Sequence, residues 1–290
     1  MKYVFIMENK KFYTIEMMCR VLGVSRSAYY RWQSGKTFKR SSRKKAMKSR
    51  IREVYFEHKQ RYGSPRISAE LRAKGFDVSK QTVAKYMREL RLKSKRSKKY
   101  VVTTDSKHNN RVFENILNRR FNEDFPNRAW VSDITYIQTK EGWIYQTVII
   151  DLTDRKVVGW SHSEGLSADE TVFSAFRMAV KNRPPQKGLI FHSDRGVQYT
   201  CNRFVNLLES YGIVQSMCRT ANCWDNAVAE SFFKTLKSEL IYGNKLVSKE
   251  QIKAMLFEYV EIYYNQNRRH SALNNLTIKE FENLNHKNVA

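Results

Sequence analysis

Ala129-Trp130-Val131-Ser132-Asp133-Ile134-Thr135-Tyr136-Ile137 is a run of β-branched, aromatic and apolar residues with one carboxylate inside it. Such a run reads as a strand. A carboxylate is expensive to bury without a partner, which marks Asp133 as a candidate functional group. Downstream, Trp143 to Asp151 and Lys156 to Ser161 read as two further strands, in a meander with the first. A helix from about Ser167 to Asn182 follows, and then a strand over Gly188 to His192 that runs into His192-Ser193-Asp194-Arg195-Gly196. Asp194 is therefore expected at a strand's C-terminal end beside a turn glycine, where α/β folds place their sites. A helix near Asn202 to Tyr211, a strand over Ile213 to Met217, and a helix opening at Asn226-Ala227-Val228-Ala229-Glu230-Ser231-Phe232-Phe233 complete a β-β-β-α-β-α-β-α order. Asp151 and Asp154 fall in the tight turn between the second and third strands, where aspartate serves turn geometry.

Upstream of this α/β segment the composition changes. The 290 residues carry a formal charge of +25, and residues 36–100 alone hold 23 Lys/Arg against 5 Asp/Glu. Such a field repels itself unless a polyanion is near, and no basic amphipathic helix with a clean apolar face points to a membrane instead. Nucleic acid is the expected partner. With 41% hydrophobic and 28% charged residues the chain reads as globular, and its apolar runs fall well short of the roughly 20 residues needed to span a membrane. No signal peptide is recognised at the N-terminus, so the cytoplasm is the default compartment. The four cysteines lack C-x-x-C spacing, and the six histidines form no partner motif for them, so reduced thiols are expected rather than disulfides or zinc.

The basic third contains two segments with the grammar of a helix-turn-helix. In the first, Ile15 to Leu22 is a short helix, Gly23-Val24 a turn, and Ser25 the N-cap of a helix bearing Arg26, Tyr29 and Arg31. In the second, Ile67 and Leu71 face inward, Gly75 to Val78 turns, and Ser79 caps a helix with Val83, Met87 and Leu90 on one face. Lys80, Gln81, Lys85 and Arg88 are left on the other face, where long polar side chains reach base edges and phosphates in a major groove. From Lys93 to Asn110 the chain is rich in Lys, Ser and Asn without periodicity and reads as a linker.

Acids on the first strand, the fourth strand and the last helix resemble the ribonuclease-H-like core of the retroviral integrase superfamily. Asp133 and Asp194 have 60 residues between them, and Asp194 and Glu230 have 35. The words Trp130-x-x-Asp133-Ile134-Thr135-Tyr136, His192-Ser193-Asp194-Arg195-Gly196-x-Gln198-Tyr199, Asp225-Asn226-Ala227-x-Ala229-Glu230-Ser231-Phe232-Phe233-Lys234-Thr235-Leu236-Lys237 and Tyr264-Asn265-x-x-Arg268-x-His270 resemble the OrfB-type transposases of the IS-three insertion-sequence family. The resemblance spans about Ile15 to Leu276. It departs from the family at Cys218 and Ala221, where serine and glycine are usual.

The resemblance implies a helix-turn-helix at 1–40, a second, basic one at 41–95, a linker at 96–122, an α/β ribonuclease-H-like integrase catalytic core at 123–245 and a helical extension at 246–290. It implies that Asp133, Asp194 and Glu230 hold two Mg²⁺ ions, with Mn²⁺ able to substitute, for cleavage and transfer of DNA strands. Three acids suit that task, because a pair of hard ions stabilises the attacking and leaving oxygens of an in-line displacement, each ion keeping waters beside one or two carboxylates. Lys234 and Lys237 follow Glu230 by four and seven residues, on one helical face, and are expected to hold DNA phosphates. His192, Asn226, Arg268 and His270 are candidate supporting residues. The implied partners are double-stranded DNA, as terminal inverted repeats and target, further copies of the chain on that DNA, and an OrfA protein or an OrfAB fusion; the implied location is the bacterial nucleoid. Two alternatives stand beside this one: a DNA-binding regulator with an inactive integrase-like core, and a tyrosine recombinase built on Tyr263, Tyr264, Arg268, Arg269 and His270.

Overall fold

Residues 1–95, 111–122, 126–219, 222–242 and 244–289 are described by a computed structural model, in two units, Met1–Ser94 and Lys95–Ala290. Much of the expected linker, and Ala221, lie outside the described residues. Among the described residues no helix is long and apolar enough to cross a membrane. Cys19, Cys201 and Cys218 are free thiols.

The first unit consists of α1 (Lys2–Asn9), α2 (Ile15–Val21), α3 (Arg26–Gln33), α4 (Lys36–Glu57), α5 (Ser64–Ala73) and α6 (Lys80–Glu89). The Ser25 hydroxyl accepts from the Ala28 amide and the Ser79 hydroxyl from the Thr82 amide, both at 3.2 Å, so each expected serine cap satisfies a donor that its helix leaves open. Gly23 and Gly75 follow α2 and α5 with φ of 63° and 84°, a left-handed turn that glycine makes without steric cost. Ile67, Leu71, Val83 and Met87 are buried between α5 and α6, and Lys80, Gln81, Lys85 and Arg88 are exposed. Arg26 and Arg31 are likewise exposed. Tyr29 corrects the expectation of a DNA contact: it is fully buried with Ile6, Met18 and Cys19, its ring against those of Tyr3 and Trp32. Successive helical side chains differ by about 100°, and the ring turned to solvent is that of Tyr30.

In the second unit, β1 (Ala129–Thr139), β2 (Gly142–Asp151) and β3 (Val157–Ser163) form the expected antiparallel meander. A π-helical turn (Asp169–Phe173) leads into α7 (Ser174–Asn182), then β4 (Ile190–Ser193), α8 (Val197–Thr200), α9 (Asn202–Ser210) and β5 (Val214–Met217). β4 joins the free edge of β1 in parallel and β5 joins β4 in parallel, giving the sheet order β3-β2-β1-β4-β5. Trp130, Phe173, Phe176, Phe191, Phe204 and Met217 pack as one core between this sheet and α7 and α9. At Gly159 on β3, an added Cβ would stand 2.2 Å from the Ala175 carbonyl oxygen, so α7 can pack this closely only against glycine. Asp151 is fully buried and accepts from the Trp130 indole at 3.2 Å, the Thr153 amide at 3.0 Å and Arg183 at 2.8 Å; Arg183 also holds Asp154 at 2.7 Å. Both aspartates are structural.

The chain continues through a 3₁₀ turn (Cys223–Asn226), α10 (Ala227–Leu236), a π-helical turn (Lys237–Ile241), α11 (Lys249–Phe257), a longer π-helical segment (Glu258–Asn267), the short pair β6 (Arg269–His270) and β7 (Leu276–Thr277), and α12 (Ile278–Val289). Residues 111–122, which fall within the 96–122 linker implied by the resemblance, are laid along the core. Ser216 Oγ accepts from the amides of Ile116 and Leu117 at 3.0 and 3.1 Å, and Leu117 is fully buried.

Candidate active site

The parallel register of β1 and β4 sets the geometry. Val131 lies opposite His192, so Asp133 on β1 and Asp194, the residue just past the end of β4, each follow this pair by two residues. The Asp133 carboxylate accepts from the Ile134 amide at 2.8 Å, and that of Asp194 from the Gly196 amide at 2.9 Å. Glu230 stands in the first turn of α10, and all three acids are half-buried. Burial raises the Asp133 carboxyl well above its ordinary pKa, the Asp194 charge adds to this, the Ile134 amide opposes it, Glu230 adds again, and the Lys237 ammonium opposes it. Burial alone raises Glu230. Three of the expected site residues, Asp194, Glu230 and Lys237, therefore act electrostatically on a fourth, Asp133, while Lys234 is exposed on the same helix. Among the described residues no three acids, histidines or cysteines are placed to hold a metal ion together, those of this site included.

Its framework is hydrogen-bonded. Ser132 Oγ donates to the Val148 carbonyl at 2.9 Å and lies 2.7 Å from the Tyr199 hydroxyl, locking the strand beside Asp133 to β2 and α8. Asn226 Nδ2 donates to the Ser132 carbonyl at 3.1 Å, and the buried Asn226 Oδ1 has no hydrogen-bond partner. His192, expected as a possible support for the metal, is fully buried, with Nδ1 2.9 Å from Ser216 Oγ and Nε2 3.4 Å from Cys218 Sγ. Burial lowers its pKa to about 4, and it serves as a neutral packing residue.

The model of the Integrase core domain matches residues 123–223, a second of that description matches 211–277, and an HTH-like domain matches 42–100. Transposase InsF for insertion sequence IS3A of Escherichia coli (strain K12) is 39% identical over 287 residues, 98% of this chain and 99% of its own. The chain belongs to the IS3 insertion-sequence transposases. The insertion element IS600 uncharacterized 31 kDa protein of Shigella sonnei is 37% identical to this transposase over 273 residues, 94% of this chain and all of its own. Among solved structures, the HTLV-2 integrase catalytic core domain in complex with magnesium aligns with a TM-score of 0.40 at 21% identity, over 54% of this chain and 96% of that one. The catalytic domain of Mos1 mariner transposase aligns with a TM-score of 0.40 at 16% identity, over 47% and 71%.

In this transposase the Arg268 and His270 side chains are used inside the protein. Arg268 is buried and donates to both oxygens of Glu239, at 3.0 Å from Nη2 and 3.2 Å from Nε, and Glu239 also accepts from the Tyr259 hydroxyl at 2.9 Å. Burial opposes the Arg268 charge, and Glu239 more than restores it, so the guanidinium pKa lies above its ordinary value. His270 stacks edge-on against Tyr264, which in turn meets Phe232 of α10 edge-on. Tyr263 and Tyr264 are buried, which withdraws them as nucleophiles. Sequence reasoning passed over Asp225. It is fully buried and accepts from Arg219, Arg119 and Asn115 at 2.8 to 2.9 Å, tying residues 115–119 to the entrance of α10. Its only sequence signal was its place in the Asp225-Asn226 word, because partners 106 and 110 residues away leave no local pattern.

Proposed function

We propose that this protein cleaves the ends of its insertion sequence and joins them to target DNA in a divalent-metal-dependent phosphoryl transfer, with Asp133, Asp194 and Glu230 as the metal-holding acids. What supports this reading is the β1–β4 register, in which Asp133 and Asp194 each follow the Val131–His192 pair by two residues, with the charges of Asp194 and Glu230 both opposing that of Asp133. A cation relieves that repulsion. The donor set is all carboxylate oxygen, which suits hard Mg²⁺.

A divalent ion bound there supplies Lewis-acid stabilisation of the charge on the attacking and leaving oxygens. The chain's own residues do the rest. Asn226 and Ser132 fix the α10 helix against β1, so the acids keep their spacing when a phosphodiester approaches. Lys237, beside Asp133, and Lys234, one turn away, hold phosphates of the scissile strand in line. In the first unit, Arg26 and Arg31, and Lys80, Gln81, Lys85 and Arg88 on the exposed face of α6, grip the terminal repeat. Further copies of the chain, and an OrfA protein, assemble on the same DNA. The test is incubation with labelled end duplex and Mg²⁺ or Mn²⁺, scoring for nicking at the end and for joined products. No product with either metal would leave a DNA-binding protein with an inactive core.

A further inference from the structure

Trp224 is 70% exposed, the most exposed of the five tryptophans, and it stands six residues before Glu230. An indole left in water forgoes the large apolar burial that makes tryptophan favourable in an interior. The two residues that follow it are anchored. Asp225 is fully buried, held by Arg219, Arg119 and Asn115, and Asn226 is buried, held on the Ser132 carbonyl. The 3₁₀ turn Cys223–Asn226 is thus pinned from below, and the indole is carried outward from it. Around this pedestal two guanidiniums face one carboxylate, with the Arg119 and Arg219 side chains 44% and 50% exposed, which leaves a net positive charge at the surface. An exposed indole on a turn anchored through a carboxylate to two part-exposed guanidiniums is an arrangement suited to an unpaired nucleic-acid base and its phosphate, since the base has a π-face to stack and the phosphate a charge to neutralise.

We propose that Trp224 is a stacking platform for a base at the DNA end, holding that base out of the duplex so that the neighbouring phosphodiester reaches the acids of β1, β4 and α10. The inference rests on the strand-cleavage reading above and adds a base-binding site to it. The ligand class is an unpaired or splayed nucleobase, not a base pair read in a groove. Holding the indole on a pinned turn removes the ordering cost that a flexible loop would incur on binding.

The full chain is mixed, without divalent metal, with a duplex carrying the terminal repeat of its element and 2-aminopurine at one of the last positions of either strand. One position is expected to show strong quenching with the wild type and with Trp224→Phe. Trp224→Ala and Trp224→Leu are expected to lose that signal and to bind the end about tenfold more weakly, the leucine variant because it keeps apolar area but no π-face. On a duplex made abasic at the responsive position, wild type and Trp224→Ala are expected to bind equally. Melting curves of the four proteins, with Trp224→Phe as the conservative rescue, separate a stacking loss from a folding loss. Unchanged quenching and affinity in Trp224→Ala overturns the proposal. So does a tenfold loss that persists on the abasic duplex, which would make the indole a protein–protein contact. Cleavage by the wild type is scored in parallel with Mg²⁺: cutting without quenching at any position overturns this inference alone, and quenching without cutting supports it while removing the strand-transfer reading.

Discussion

Asn226 Nδ2 donates to the Ser132 carbonyl at 3.1 Å, and this one bond joins the entrance of the helix that carries Glu230 to the strand that carries Asp133. Asn226→Ala is expected to lower end cleavage by up to about a hundredfold, because a displacement of order 1 Å between reacting groups has that effect. The stability change should be small, about 1 kcal/mol for one hydrogen bond. Rates on end duplex and a denaturant melt check both. A variant that cuts at the wild-type rate would show that Glu230 is positioned by other contacts.

Asp225 makes stability depend on acid pH. Its hydrogen bonds from Arg219, together with Arg119, hold its carboxyl well below the ordinary carboxylate pKa against the opposing effect of burial. A group lowered in the folded state contributes its full stability above its unfolded pKa of about 3.9. That contribution is lost as pH falls below this value toward the folded pKa. Asp225→Asn should cost about 2 kcal/mol at neutral pH, an upper figure because both guanidiniums are half in solvent, and should flatten the acid side of the stability profile. Melts at neutral pH and near pH 3 measure the difference, and parallel profiles for variant and wild type would contradict the clamp.

The buried Arg268–Glu239 pair holds the C-terminal segment to the π-helical turn that follows α10. Arg268→Ala leaves a buried carboxylate without its cation, a loss of about 3–5 kcal/mol, whereas the double change Arg268→Met/Glu239→Leu should recover most of it. Chemical denaturation of the three proteins tests this. Equal stability of the single and double variants would mean that the pair does not act as a unit.

The order and type of the elements could be read from the sequence because their signals are local: β-branched runs and turn glycines in the second unit, and serine caps at positions 25 and 79 in the first. The three acids stand out as candidates for the same reason, each lying in a distinctive word. What escaped depends on contacts distant in sequence or on the phase of a helix. Tyr29 and Tyr30 are adjacent and chemically alike, and which of them enters the core is settled by where Ile6 and Met18 pack. The hold of residues 115–119 on Asp225, and of Arg268 on Glu239, joins segments 29 to 110 residues apart, so the first segment read as linker and the arginine remained open between structural and DNA-binding roles.

The exposed face of α6 should act through charge. In the full chain, Lys85→Ala/Arg88→Ala is expected to weaken binding of any duplex sequence and to reduce the salt dependence of log K by about 0.9 for each phosphate no longer neutralised. Titrations over about 50 to 200 mM salt check this. A slope equal to that of the wild type would place those side chains away from the DNA.

The most direct test of the account is cleavage of a labelled end duplex by wild type, Asp133→Asn, Asp194→Asn and Glu230→Gln, with Mg²⁺ or Mn²⁺ and with a binding assay alongside. These substitutions keep side-chain shape and remove charge. Each variant should bind the end as the wild type does and yield no more product than the metal-free control. Cleavage at the wild-type rate by any one of them would remove that residue from the site and, for Asp133 or Asp194, would contradict the strand register as the source of the chemistry.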